Sequence, residues 1–116
     1  MSKYKIFHNP RCSKSRQTLQ ILEEHDCEVE VILYLETAID ESVLVDILGK
    51  MSLSPRDLLR KGEQEFKDNN LKNSNYSDQE IIKFMIQHPK LIERPIVVKG
   101  DKAILGRPPE NVLELI

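Results

Sequence analysis

Apolar and polar positions first alternate over Tyr4–His8, where Tyr4, Ile6 and His8 share one side and Lys5 and Phe7 the other, the two-residue period of a short strand. Asn9-Pro10 turns the chain. From Ser13 to about His25 the spacing becomes helical, with Leu19 and Leu22 on the apolar side. Asp26 to Glu28 form a turn, and the β-branched and aromatic content of Val29–Leu35 predicts a second, largely buried strand. Strand, helix and strand in this order read as a βαβ unit with a right-handed crossover.

Thr37 to Asp40 lead into a helix carrying Leu44, Ile47, Leu48 and Met51, its last turn weakened by Gly49. Ser54-Pro55-Arg56-Asp57 combines a capping serine, a first-turn proline and a first-turn acid, so it predicts a helix that carries Leu58, Leu59 and Arg60. Lys61–Tyr76 is polar, with Asn69, Asn70, Asn73 and Asn75, and predicts a surface segment with at most a short helix around Glu63–Asp68. Ser77-Asp78-Gln79-Glu80 is a capping box for a helix with Ile81, Ile82 and Met85 on one face, ending before Pro89. Pro95–Lys99 and Lys102–Leu105, separated by Gly100-Asp101, read as a β-hairpin, and Pro108-Pro109 opens a short final helix carrying Val112, Leu113 and Ile116. The order predicts an α/β fold: a mixed sheet of about four strands flanked by helices, forming a single domain over residues 1–116 with a helical insertion at about 38–92 between the βαβ and ββα halves.

Composition changes this picture little. A chain of 116 residues, 40% hydrophobic and 31% charged, has the size and balance of one globular domain, which argues against disorder. No apolar run reaches membrane-spanning length and no signal-peptide pattern opens the chain, so the expected location is cytoplasmic, with no membrane or nucleic-acid partner. Charge is more informative. The formal net charge is −2, yet Met1 to Arg16 contain five Lys or Arg and no acid, a field that attracts anions.

That basic stretch surrounds a cysteine at the change from strand to helix. The first turn of a helix offers backbone N–H groups without intrahelical partners at the positive end of its dipole, so Cys12 is placed to ionise more readily than an ordinary thiol of pKa about 8.5. Arg11, Lys14, Arg16 and His8 push the same way. The predicted helix separates Cys12 from Cys27 by about 20 Å, too far for a disulfide, and Cys27 between Asp26 and Glu28 reads as a loop or packing cysteine. Two chemistries fail on spacing: Thr18 stands where a Cys-x5-Arg phosphatase loop needs arginine, and Ser15 where a Cys-x-x-Cys dithiol needs its second thiol. Paired His/Cys ligand spacing is absent, so neither a metal nor a tightly bound cofactor is expected.

The run His8-Asn9-Pro10-Arg11-Cys12-Ser13-Lys14-Ser15-Arg16 resembles the active-site motif of the glutaredoxin-dependent arsenate reductases, the ArsC family. Leu33-Tyr34-Leu35-Glu36, Leu58-Leu59-Arg60-Lys61, Glu93-Arg94-Pro95-Ile96-Val97-Val98 and Gly106-Arg107-Pro108 continue the match in family order. The YfgD-like branch also shares the Gly-Arg-Pro-Pro-Glu stretch. The resemblance implies a thioredoxin-like fold with a helical insertion. It implies that Cys12 attacks arsenate while Arg60, Arg94 and Arg107 bind the oxyanion, and that Pro95 is the cis-proline opposite the cysteine. Glutathione is the implied co-substrate and glutaredoxin the partner, for a monomeric enzyme.

Each residue also has a plainer reading. Arg60 taken alone is a surface charge on a helix, and His8 is either a partner of the Cys12 thiolate or a packing histidine. Ser15, three residues after the cysteine, is expected to face the thiol, or else only to supply polarity at the helix start; Asn9 shapes the turn, and His25 and His88 close helices. The alternative functions are a redox-related transcription regulator of the same fold that binds RNA polymerase, which the missing Cys-x-x-Cys pair weakens, and a thiol oxidoreductase with another substrate.

Overall fold

The computed structural model describes residues 3–37, 39–72 and 75–116; Asn73 of the polar segment and Ala38 at the start of the predicted insertion lie outside these. The chain divides into two units, Met1–Thr37 with Arg94–Ile116, and Ala38–Glu93.

The first unit contains β1 (Tyr4–Phe7), α1 (Ser13–Glu24) and β2 (Val29–Ile32). Its sheet is completed by two strands from the other end of the chain, where a further hairpin forms. The four strands lie in the order β2, β1, then Ile96–Lys99 and Lys102–Leu105, with β1 parallel to β2 and antiparallel to the Ile96 strand. Tyr4, Ile6 and Val97 on one sheet face pack with Leu22 of α1 and with Val112 and Leu115. Tyr4 secures this layer by donating its hydroxyl proton to the Leu115 carbonyl at 2.9 Å.

Two details differ from expectation. β2 stops at Ile32 and is an edge strand, not a buried one; Val31 is 44% exposed because the inner neighbour of β1 on its other side is the Ile96 strand. The terminal segment Pro109–Leu115 is a 3-10 helix, so residues three apart share a face and Val112 and Leu115 are buried, while Leu113 and Ile116 are each 46% exposed. Helix α1 ends as expected, at Glu24 with His25 as its cap.

The second unit contains α2 (Glu41–Met51), α3 (Gln64–Asp68) and α4 (Asp78–Gln87). Leu44, Ile47 and Leu48 of α2 are buried, as are Ile81, Ile82 and Met85 of α4, which starts at the Ser77/Glu80 capping box. α2 runs past Gly49 and ends at the left-handed Ser52. The Ser54 capping box is present, but it starts only the 3-10 turn Pro55–Leu58. Leu59 then leaves the helix to bridge Ile92, and the Arg60 N–H donates to the Leu91 carbonyl at 2.7 Å. Leu71, inside the polar segment, is fully buried. Arg56 holds it there by donating from Nη1 to its carbonyl at 3.0 Å.

With the hairpin strands named in chain order, β3 (Ile96–Lys99) and β4 (Lys102–Leu105) are joined by Gly100-Asp101, Gly100 having φ 58°. β3 is buried at Ile96, Val97 and Val98, which explains its unbroken apolar run. β4 leads into Gly106, whose N–H donates to the Pro95 carbonyl at 2.8 Å. A Cβ at Gly106 would lie 2.6 Å from Thr18 Oγ1 and 2.8 Å from Pro95 Cγ, so only glycine allows this approach. Gly106→Ala should therefore destabilise the protein by about 1–3 kcal/mol, the usual cost of overpacking, read as a lower thermal midpoint; an unchanged midpoint would show that the close packing is not needed.

Candidate active site

The site begins where β1 ends. The His8 N–H donates to the Ile32 carbonyl at 2.8 Å, keeping the chain in register one residue beyond the strand. Asn9 then shapes the turn: its Oδ1 accepts the Arg11 N–H at 3.0 Å and its carbonyl accepts the Cys12 N–H at 3.0 Å. Cys12 is extended, with φ −93° and ψ 122°, and is the N-cap of α1. Its sulfur therefore occupies the place where a capping oxygen usually accepts the N–H groups of the first turn.

Burial pushes the Cys12 thiol up, but the Ser15 N–H, the Arg94 guanidinium and the Lys14 N–H more than offset it, and the net pKa is lowered. Arg107 approaches from a second direction, with Nη1 at 3.9 Å from Sγ, and also donates to the Arg94 carbonyl at 3.2 Å. The basic side chains near Cys12 in sequence contribute differently from expectation. Lys14 acts through its backbone, and the charge of Arg16 bears on His8 instead.

His8 and Ser15 form a buried pair, with Nδ1 and Oγ 2.6 Å apart, and the same hydroxyl accepts the Asn9 N–H at 3.1 Å. Burial, followed by the nearby Arg16, lowers the His8 pKa, so the ring is neutral near neutral pH and Nδ1 can accept the serine proton. Ser15 thus faces the thiol through its N–H, while its hydroxyl turns to His8. The contact with Ser15 ties His8 to the first turn of α1.

Arg94 interacts electrostatically with both Tyr34 and the Cys12 thiol, and the Arg94–Pro95 bond is cis, as the resemblance implied. Arg107–Pro108 is also cis. The carbonyls of Leu105 and Arg107 both accept from Asn111 Nδ2, at 3.1 and 3.2 Å, which fixes the backbone on either side of Gly106. Tyr34, Gly106 and Asn111 were not singled out by chemistry in the sequence. Tyr34 and Gly106 stand inside the matching motifs, which was the available signal; Asn111 carried none.

Cys12, His8, Ser15, Arg94 and Arg107 belong to the first unit, and Arg60 to the second, where its Nε lies 3.3 Å from Glu63 Oε1 and its Nη1 3.8 Å from Glu93 Oε1. Cys12 and Cys27 are both free. Cys27 packs partly against the core of the first unit. Among the described residues there is no group of three or more His, Cys, Asp or Glu side chains suited to a metal, and no helix long and apolar enough to cross a membrane.

A cysteine at the start of the helix after β1, a cis-proline just before β3 and a mixed four-stranded sheet flanked by helices place the molecule among the thioredoxin-like proteins. The sequence profile of the ArsC family matches residues 7–115, and the chain belongs to that family. The uncharacterized protein YfgD of Escherichia coli K12 is 51% identical over 113 residues, covering 97% of this chain and 95% of that protein. An arsenate reductase of Neisseria meningitidis is 45% identical over 113 residues, covering 97% of each chain. The structure of an arsenate reductase from Vibrio cholerae superposes with a TM-score of 0.96 at 44% identity, covering 99% of this chain and 98% of that one.

The lowered thiol pKa has a consequence for stability. A group whose pKa falls on folding stabilises the native state above its unfolded value, about 8.5 for a thiol, and loses that contribution as pH falls through the folded value. Urea unfolding of wild type and Cys12→Ser should show a stability advantage for wild type that grows from acid to alkaline pH. A difference that is the same at every pH would contradict a thiolate stabilised by the fold.

Proposed function

We propose that the protein is an arsenate reductase that acts as a monomer and draws its electrons from glutathione and glutaredoxin. The observation that carries this reading is the Cys12 thiol at the start of α1, with Arg107 Nη1 at 3.9 Å and its pKa lowered by the N–H groups of Ser15 and Lys14 and by Arg94. Relatives that align over nearly the whole chain bear the name arsenate reductase, which supports the same reading.

In the proposed reaction the Cys12 thiolate attacks arsenic(V), forming a sulfur–arsenic bond as one arsenate oxygen leaves as water after taking up protons. Arg94 and Arg107 would donate to the remaining oxygens; planar guanidinium forks that stay charged suit a tetrahedral oxyanion. A glutathione thiol displaces a second oxygen and binds the arsenic. A glutaredoxin thiolate then attacks the glutathione sulfur, forming a mixed disulfide and leaving two electrons on arsenic, now arsenic(III). Hydrolysis releases arsenite and returns Cys12 as a thiol. The external thiols are needed because Ser15 stands where a second active-site thiol would be.

Purified protein given arsenate, glutathione and glutaredoxin should form arsenite, and Cys12→Ser should abolish turnover while preserving the fold; turnover retained by that variant would exclude the mechanism. Arg94→Lys should lower kcat/KM by roughly a hundredfold to a thousandfold, the usual loss when one preorganised donor is removed. A point charge that substituted fully would instead argue that the fork geometry of Arg94 is not used.

A further inference from the structure

Arg107 brings its Nη1 to 3.9 Å from the Cys12 sulfur and to 3.2 Å from the Arg94 carbonyl. The residue is exposed, so where its guanidinium sits depends on how firmly the backbone places its Cα. That backbone is held from three sides. The Gly106 N–H donates to the Pro95 carbonyl at 2.8 Å, and Thr18 Oγ1, which donates to the Lys14 carbonyl at 2.8 Å, lies 3.4 Å from the Gly106 carbonyl. These two contacts tie the loop to the residue after Arg94 and to the helix that Cys12 caps. The third side is Asn111, whose Nδ2 donates to the Leu105 carbonyl at 3.1 Å and to the Arg107 carbonyl at 3.2 Å. Asn111 stands on a firm support. Its own N–H donates to the Pro108 carbonyl at 3.0 Å, and its neighbour Val112 is fully buried, as is most of Leu115. The Leu115 carbonyl accepts both the Tyr4 hydroxyl at 2.9 Å and Lys99 Nζ at 3.0 Å, which pins the far end of the 3-10 helix to the sheet.

We propose that Asn111 is a positioning residue, whose carboxamide closes the loop on both sides of Gly106 and thereby sets the Arg107 guanidinium beside Cys12, where it attracts an anion to the thiol. A carboxamide nitrogen carries two protons, so one side chain can serve two carbonyls two residues apart, which a hydroxyl with its single proton cannot do. An apolar residue at 111 leaves both carbonyls to water and removes the link between the 3-10 helix and the residues that precede it. Asn111 is neutral and contributes no charge of its own, so its effect on an anion is exerted through Arg107. The identification of that anion as arsenate rests on the reductase reading; the positioning itself does not.

Asn111→Leu keeps a side chain of similar size and removes both donors. The test is the rate of Cys12 alkylation by iodoacetate, an anion, divided by the rate with neutral iodoacetamide, at one pH and low salt. It is measured in wild type, Asn111→Leu, Arg107→Ala and the double variant, each also carrying Cys27→Ser. The thiolate population cancels in this ratio, and so does any general change in access to the thiol. Arg107→Ala should lower the ratio by up to about fivefold, as for one unit charge lost from near contact in water. Asn111→Leu should lower it toward the same value, and should have no further effect when added to Arg107→Ala. A ratio unmoved by Asn111→Leu, or moved equally in both backgrounds, would overturn the proposal. If Asn111→Leu does not fold, the side-chain amide protons of Asn111 in wild type supply the readout by nuclear magnetic resonance. Both should exchange slowly with water and shift when Cys12 is carboxymethylated; free exchange, or no shift, overturns the proposal. A second arm rests on the arsenate reductase reading: kcat/KM for arsenate should fall on the order of fivefold in Asn111→Leu, as for loss of a typical hydrogen bond. The alkylation ratio needs no arsenate, so failure of that reading and failure of this proposal are distinguishable.

Discussion

The candidate site depends on one placement, that of the Cys12 thiol at the cap of α1, where the N–H groups of the first turn favour its ionised form. Those donors exist because a helix leaves its first N–H groups unpaired, and Cys12 stands next to them because it is the cap residue, in an extended conformation. Burial alone would raise the thiol pKa; the fold lowers it by adding Arg94 to the backbone donors. The His8–Ser15–Asn9 contacts serve the same end by fixing the turn and first helical residues, so that the N–H groups are already in position before any substrate arrives.

The second constraint is the register of the sheet. Pairing Phe7 with both Ile32 and Ile96 brings the residues that follow β2 and those that precede β3 to the same end of β1. Gly106 adds a local requirement, since the approach of its backbone to Thr18 and Pro95 leaves no room for a side chain. It sets the path of the chain immediately before Arg107. Arginines distant in sequence thus come to one thiol through backbone geometry, and Asn111 fixes the backbone that carries Arg107.

Features set by local chemistry were readable from the sequence. The strand that ends at Asn9-Pro10, the capping box at Ser77 and the Gly100-Asp101 hairpin each depend on a few adjacent residues, and the structure contains all three. Cys12 at a helix start was legible for the same reason. What depends on distant partners was not. The apolar run after Val29 looks the same for an edge strand and a central one, and only the pairing of β1 with β3 makes β2 the edge. Leu59 leaves the predicted helix to bridge Ile92, and Leu71 is buried within a polar stretch, both by contacts far along the chain. The terminal segment buries Leu115 in place of Leu113 and Ile116 because it winds as a 3-10 helix, which the apolar spacing did not distinguish from an α-helix. Arg94 and Arg107 were reached through family resemblance, since nothing in their own neighbourhoods marks them as partners of a cysteine.

The central claim is that arsenic becomes bonded to Cys12. The most direct test is mass spectrometry of the protein incubated with arsenate and glutathione in the absence of glutaredoxin, which stops the proposed cycle before reduction. The account predicts an arsenic-containing mass increase confined to the peptide that carries Cys12. An adduct on Cys27, or arsenite formed by the complete system with no adduct ever detected on Cys12, would contradict it.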